Sequence, residues 1–287
     1  MLALLKRNFI LYFRNRSGVF FSLFGALISF LLYIIFLQKN LTDSWSQLPN
    51  STNLLNNWLM GGTLAVTGMT TSFTALKQMV QDRENQVDQD LFLTDLGNWG
   101  LQASYLISSI VISFVMQVFM YAVMSFYFKE SPVISHLPEI ALIMLLSSLL
   151  SSLVNVLLIY RFQSVDSLGK LATIVGTASG FLVGTYIPIG VLPDSAQLFM
   201  KCTPATYIAS LYRQVLMKDR LETAFSGNNS LLQEFQEKMG IQINWQELLT
   251  KEETYFIVVI ISLVAILLWL LFVKVFSKRN KGVLERK

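Results

Sequence analysis

One cysteine, Cys202, and one histidine, His136, occur in the 287 residues. No disulfide can close within the chain, and no Cys/His set can assemble a metal site. Charge is also scarce. Only 14% of residues are charged, against roughly 25% in a soluble domain. No G-x-x-x-x-G-K-[ST] phosphate loop is present, so the chain cannot bind ATP in the usual way. Asp, Glu, Lys, Arg and His are missing inside the long apolar runs, with Glu139 and Lys274 only at their edges. Proton-driven pumps carry such groups at mid-membrane, so their absence argues against that class. It argues less strongly against sodium coupling, which backbone carbonyls can serve. Ser179, in Thr177-Ala178-Ser179-Gly180, has no histidine or lysine within the runs to activate it, and it reads as a packing residue. The basic N-terminus leads into a run as long as a full span with no small-residue cleavage site, so a cleaved signal peptide is not expected.

What is present is apolar. The chain is 53% hydrophobic with a mean hydropathy of +0.53, which places it among polytopic membrane proteins. Six membrane spans are expected, near 17–37, 58–76, 101–128, 140–160, 171–191 and 254–273. Residues 38–57 read as a polar loop. Residues 1–16 read as an interfacial helix with Leu2, Leu5, Phe9 and Phe13 on one face and Arg7 and Arg14 opposite, where Leu4 and Leu11 blur the polarity. Lys and Arg in the short loops place both termini and segment 77–100 in the cytoplasm and 192–253 outside. Segment 77–100 is a charged island with Asp82, Glu84, Asp88, Asp90 and Asp95 against Lys77 and Arg83. In 192–253, Ser230 to Gln233 fits a capping box, Gly240 a helix stop, and 244–247 a second helix start.

Small residues gather in two spans. Gly61, Gly62 and Gly68 lie in the second; Gly176, Gly180 and Gly184 form GxxxGxxxG in the fifth, which Gly169 extends. Such faces let helices approach closely in lipid. Thr67, Thr70, Thr173 and Thr177 share these spans with Met60, Met69 and Phe73. Two readings stay open: plain helix packing, or a path or dimer interface for an amphipathic or hydrophobic molecule such as a drug, peptide, toxin or lipid.

Residues 184–213 carry a Gly, a Pro, a Leu-Pro pair, then Pro-x-x-Tyr and a later Arg: Gly184, Pro188, Leu192, Pro193, Pro204, Tyr207 and Arg213. This resembles the fifth-span signature of permease subunits of bacterial type-2 ABC transporters, the ABC-2-type exporter family. The prolines would turn the chain back as an external re-entrant hairpin that acts as a gate. The island resembles that family's coupling loop through Asp82-Arg83-Glu84, Leu91 and Thr94, with Asn85 where glycine is usual and Asp95 where proline is usual. The resemblance covers nearly the whole chain except about 219–253. It implies an all-α polytopic membrane protein, a single permease domain over 1–287, with a cytoplasmic coupling helix. It also implies a multi-pass protein of the bacterial plasma membrane that performs no covalent chemistry. ATP and Mg would sit on two copies of a separate ATPase subunit, and a second permease chain would complete the assembly, as a homodimer or as a pair with a similar chain. No cofactor, metal or nucleic acid is expected on this chain, and lipid is its surroundings. Asp82, Arg83, Glu84, Val87, Leu91 and Phe92 would dock the ATPase, with Arg7 and Arg14 beside them. A membrane scaffold or sensor with an external binding module, a gradient-driven transporter or channel, and a lipid-linked glycan exporter remain the alternatives.

Overall fold

The computed structural model describes residues 1–92, 94, 96–129 and 134–284, with side chains to residue 274. Asp95, Glu130 and Pro132 lie outside the described residues. Among the described residues the chain is helical, with a lone bridge between Asn244 and Leu248 in place of any strand. The helices are α1 (Leu2–Arg14), α2 (Arg16–Ser22), α3 (Phe24–Leu32) and α4 (Gln38–Ser44), the last two joined by a π-turn. Next come α5 (Ser51–Glu84), α6 (Val87–Phe92), α7 (Gly97–Phe128), α8 (Leu137–Ile159) and α9 (Val165–Leu182). Then follow α10 (Asp194–Lys201), α11 (Pro204–Leu216), α12 (Lys218–Ala224), α13 (Asn229–Lys238) and α14 (Lys251–Leu284).

Helix α5 is the axle. It packs against α3, α7, α8, α9 and α11, and most of its 34 residues are buried. Its composition makes this possible. A Cβ on Gly68 would stand 2.6 Å from Ser147 Oγ, and one on Gly61 3.1 Å from the Arg213 backbone nitrogen. Without side chains there, neighbouring helices come close. Most of its buried hydroxyls are satisfied within the helix: Thr67 Oγ1 donates to Thr63 O at 2.8 Å, Thr71 to Thr67 O at 2.6 Å and Ser72 to Gly68 O at 2.7 Å, while Thr63 Oγ1 finds no partner among the described residues. Polarity therefore costs little inside a ring of protein.

By length and composition, helices over Phe24–Ser44, Gly97–Phe128, Ile134–Ile159 and Lys251–Lys274 can cross a membrane. The runs expected at 58–76 and 171–191 fall in α5 and α9, which do not meet that measure. Burial explains α5: a helix enclosed by protein has no need of a greasy surface.

Three expectations are corrected. The polar loop over 38–57 is helical except at 45–50. Its polar groups face partners: Tyr33 Oη and Gln38 Nε2 both donate to Asn56 Oδ1 at 3.2 Å, while Trp45 and Leu48 join a core cluster with Trp58 and Phe235. Helix α1 packs inward through Leu4, Asn8 and Tyr12, and Leu2 and Phe9 are exposed. Leu4, which blurred the polar face, marks the true contact. The fifth run ends at Leu182 rather than near 191. Gly184 takes a left-handed φ of +68°, the backbone that glycine supplies at helix ends, and Tyr186 folds back over Gly180. Proline does not make the break. Pro193 precedes α10 and Pro204 starts α11, where a missing N–H is harmless.

The molecule thus has two ends. A proximal end carries α1, α6 and the C-terminus of α5. A distal end carries the N-terminus of α5 and the caps α10–α13. At the distal end α13 begins as expected near 230, but Asn228 caps it, accepting from the Leu231 N–H at 3.1 Å. Residues 244–247 do not start a helix, because Asn244 spends its side chain on Glu237 at 2.7 Å.

Candidate functional site

At the proximal end, three consecutive residues of α5 bind three different parts of the fold. Asp82 is buried. Arg7 of α1 donates to both its carboxylate oxygens at 2.7 Å, and Tyr105 of α7 donates at 2.5 Å. Gln78 completes the set at 2.7 Å. The carboxylate holds the Arg7 guanidinium above its ordinary pKa, chiefly through these hydrogen bonds and despite partial burial. Arg83 points the other way. Its Nη1 donates to the carbonyls of Tyr160 at 2.9 Å and Phe162 at 2.8 Å, just past the end of α8. Glu84 accepts from the Val165 N–H at 3.2 Å, at the first turn of α9. A carboxylate there also complements the helix dipole. The acidic–basic–acidic triplet therefore ties α1, α7, α8 and α9 to one helix end.

Helix α6 hangs from this knot. Leu91 and Phe92 pack on the core cluster that contains Leu76, Val80 and Leu101. Val87 and Asp88 are half-buried, while Gln89 and Asp90 are exposed. Burial raises the Asp88 carboxyl above its usual range, and the Arg83 charge pulls it part of the way back. Of the residues expected to meet a partner, Asp82 faces the interior, Arg83, Val87, Leu91 and Phe92 are half-buried, and Glu84 is exposed. Arg7 is committed to Asp82, and Arg14 is exposed.

At the distal end Arg213 is buried at 2% exposure. Its guanidinium lies over the Trp58 ring at 4.6 Å. It donates to Trp58 O at 3.4 Å, Gly240 O at 3.2 Å and Gly184 O at 3.0 Å. None of these partners is a carboxylate. Carbonyls from α5, from the turn after α9 and from the segment after α13 share its charge. That last segment is held by three successive carbonyls. Trp58 Nε1 donates to Met239 O at 2.6 Å, Arg213 to Gly240 O, and Ser210 Oγ to Ile241 O at 2.7 Å. The turn Ile189–Val191 seats on α13 so closely that a Cβ on Gly190 would lie 2.5 Å from Lys238 Cα. Gly190→Ala must therefore separate two backbones. Thermal unfolding should show a loss of about 1–3 kcal/mol, with α13 becoming sensitive to protease.

The other residues of the expected hairpin serve this cap. Tyr207 Oη donates to Lys201 O at 2.8 Å and accepts from Trp245 Nε1 at 3.0 Å. Leu192 O accepts from Gln197 at 2.9 Å. Pro188 is buried and Pro193 exposed.

The residues expected along a path divide. Thr70, Phe73, Thr173, Gly176 and Thr177 line one cleft of about 560 Å³ between α2–α3, α5 and α9. Met60, Thr67, Gly180 and Gly184 are buried in the core, and Met69 is half-buried beside it. Trp58, Tyr105 and Gln78 were not among the residues singled out by sequence, whereas Gly240, read there as a helix stop, follows the end of α13 with a left-handed φ of +61°. A tryptophan at the start of a glycine-rich run was the available signal for Trp58; Tyr105 and Gln78 had none.

A family model described as ABC-2 type transporter matches residues 1–217. The match ends where α12 begins, so the distal segment α12–α13 and helix α14 lie beyond it. No match is found among curated proteins.

Proposed function

The chain belongs to the ABC-2 type transporter family, and from that premise we propose that it is the permease of an ATP-driven exporter. The family match makes it a multi-pass membrane permease that works with an ABC ATPase. Our reading goes further. The proximal end lies in the cytoplasm of a bacterium, with both termini, and the distal cap faces outward. Six helices cross the membrane, α5 and α9 among them. Two copies pair with two separate ATPase subunits, which hold ATP and Mg, and this chain performs no covalent chemistry. The cargo is amphipathic or hydrophobic. The Arg213 hub and the cap act as the outer gate.

The observation that carries this reading is the knot at Asp82, Arg83 and Glu84. A short helix with an exposed edge, α6, is fixed to a triplet whose bonds reach α1, α7, α8 and α9. A push on α6 would therefore reach most of the bundle at once. Direct contact with the ATPase falls to Glu84, Gln89 and Asp90, while Asp82 and Arg83 position them.

Co-expression with a separate ATPase that carries a phosphate loop tests this. The two should co-purify, and the permease should change the rate of ATP hydrolysis. Asp90→Lys should weaken co-purification and hydrolysis coupling at least severalfold without moving the thermal midpoint, because Asp90 is exposed. Unchanged coupling in Asp90→Lys would remove α6 from the contact.

A further inference from the structure

We propose that the cleft between α2–α3, α5 and α9 binds an amphiphile with one anionic head, the head at Lys77 and the chain along Phe73 and Phe24. The volume, about 560 Å³, lies within the roughly 300–1,000 Å³ of small-molecule sites. Its walls are apolar, with Phe21, Phe24, Ile28, Phe73 and Val175 among them. The threonines do not change that. Thr70 donates to Val66 O at 3.1 Å, Thr74 to Thr70 O at 2.9 Å and Thr177 to Thr173 O at 2.9 Å. Their hydroxyls are used within their own helices, so a polar cargo would find few free partners.

The polarity is all at one end. Among the described residues that line the cleft, Lys77 is the one that is charged, beside Asn15 and Ser17. Among the described residues no carboxylate pairs with it, and the acids of the nearby turns are engaged elsewhere. Asp82 holds Arg7, Glu84 caps α9, and Asp166 pairs with Lys170 at 2.9 Å. From Thr70 to Lys77 the wall rises about 10 Å at 1.5 Å per residue, enough for a medium alkyl chain below one head group.

The glycines separate this site from ordinary packing. A Cβ on Gly25, Gly61, Gly62 or Gly68 would press on a neighbour. One on Gly169 or Gly176 would meet nothing within 4 Å. These two glycines are therefore not required by any contact inside the chain. They keep one wall of the cleft open.

The inference rests on the permease reading only for which leaflet supplies the ligand; binding itself can be measured without an ATPase. The full-length protein in phosphatidylcholine nanodiscs would be titrated with radiolabelled dodecyl phosphate. Saturable binding is expected, displaced by unlabelled dodecyl phosphate and not by dodecyltrimethylammonium, dodecanol or inorganic phosphate. Lys77→Gln should weaken it about fivefold, the scale of one basic residue at a membrane surface, and Lys77→Arg should restore it. Gly176→Leu should abolish binding without lowering the thermal midpoint, because a Cβ there meets nothing within 4 Å and leucine favours the helix over glycine.

Equal displacement by dodecanol or dodecyltrimethylammonium would overturn the charge preference, and displacement by inorganic phosphate would overturn the amphiphile. Wild-type affinity in Gly176→Leu would remove the ligand from the cleft. Thr173→Cys in a Cys202→Ser background linking to a second copy, with no saturable binding, would assign the cleft to the dimer instead. Loss of ATPase co-purification with binding intact would count against the permease reading alone.

Discussion

Arg213→Ala is expected to destabilise the protein by about 3–5 kcal/mol, the sum of a large cavity and lost hydrogen bonds. The arginine stem lies against Gly61, whose absent side chain makes the space for it. Its guanidinium donates to Gly184 O and Gly240 O. Each buried carbonyl left alone costs roughly 1–3 kcal/mol. Arg213→Met keeps the stem and removes a costly buried charge, so it should lose less, about 2–3 kcal/mol, from the unpaired carbonyls. Arg213→Lys should not rescue. A compact ammonium still has to be desolvated and cannot fan out to three carbonyls on separate segments. Thermal unfolding in neutral detergent would rank the three. Limited proteolysis near Gly227 would report the cap, because loss of the hub frees the segment after α13. If Arg213→Ala unfolds at the wild-type temperature, Arg213 does not hold the distal end together.

Both hubs were visible in the sequence as unusual charges, yet their directions were not. Asp82-Arg83-Glu84 stands out by its sign pattern at the end of an apolar run. Whether such a triplet faces a partner or the interior depends on Arg7, 75 positions away, and on Tyr105 of a later helix. No local periodicity encodes those neighbours. Arg213 is legible as a charge within a signature, but its acceptors are main-chain carbonyls, which every residue possesses. Residues 38–57 show the opposite failure. Gln38 and Asn56 look like loop residues by composition, yet both are helical, and one hydrogen bond, from Gln38 Nε2 to Asn56 Oδ1, joins their two helices.

Capping signals met mixed fortunes for a physical reason. A capping box works only if its side chains are free to turn back on the backbone. Asn244 is claimed by Glu237, so 244–247 starts nothing. Thr250 and Glu253 are free, and they form the reciprocal pair: the Thr250 N–H donates to Glu253 Oε2 at 2.8 Å, and the Glu253 N–H to Thr250 Oγ1 at 3.3 Å. That Thr-x-x-Glu pattern opens α14 and was available from the sequence. The glycines divide in the same way. Their spacing marks faces without side chains, and only the fold tells which faces are filled by a neighbour and which stay open.

Breaking the Asp82 knot should have the largest effect on coupling. Asp82→Ala leaves the Arg7 charge, the Tyr105 hydroxyl and the Gln78 amide without their shared acceptor. Loss of one partner from a buried pair costs roughly 3–5 kcal/mol. Arg7 keeps 30% of its side chain exposed, so water or lipid head groups offset part of that, and about 2–3 kcal/mol is expected here. Arg7→Met with Asp82→Asn separates the terms. Each single variant leaves a charge unpaired, while the double variant leaves none. The double variant should therefore be more stable than the two single losses added together, by about 1–2 kcal/mol. Stability and coupling should then part company. The double variant removes the strut between α1 and α5, so ATP hydrolysis by the partner should proceed without transport even though the fold is restored. Additive losses would mean that Arg7 and Asp82 are not bound to each other. Transport at the wild-type rate in the double variant would mean that α1 does not carry the push from α6.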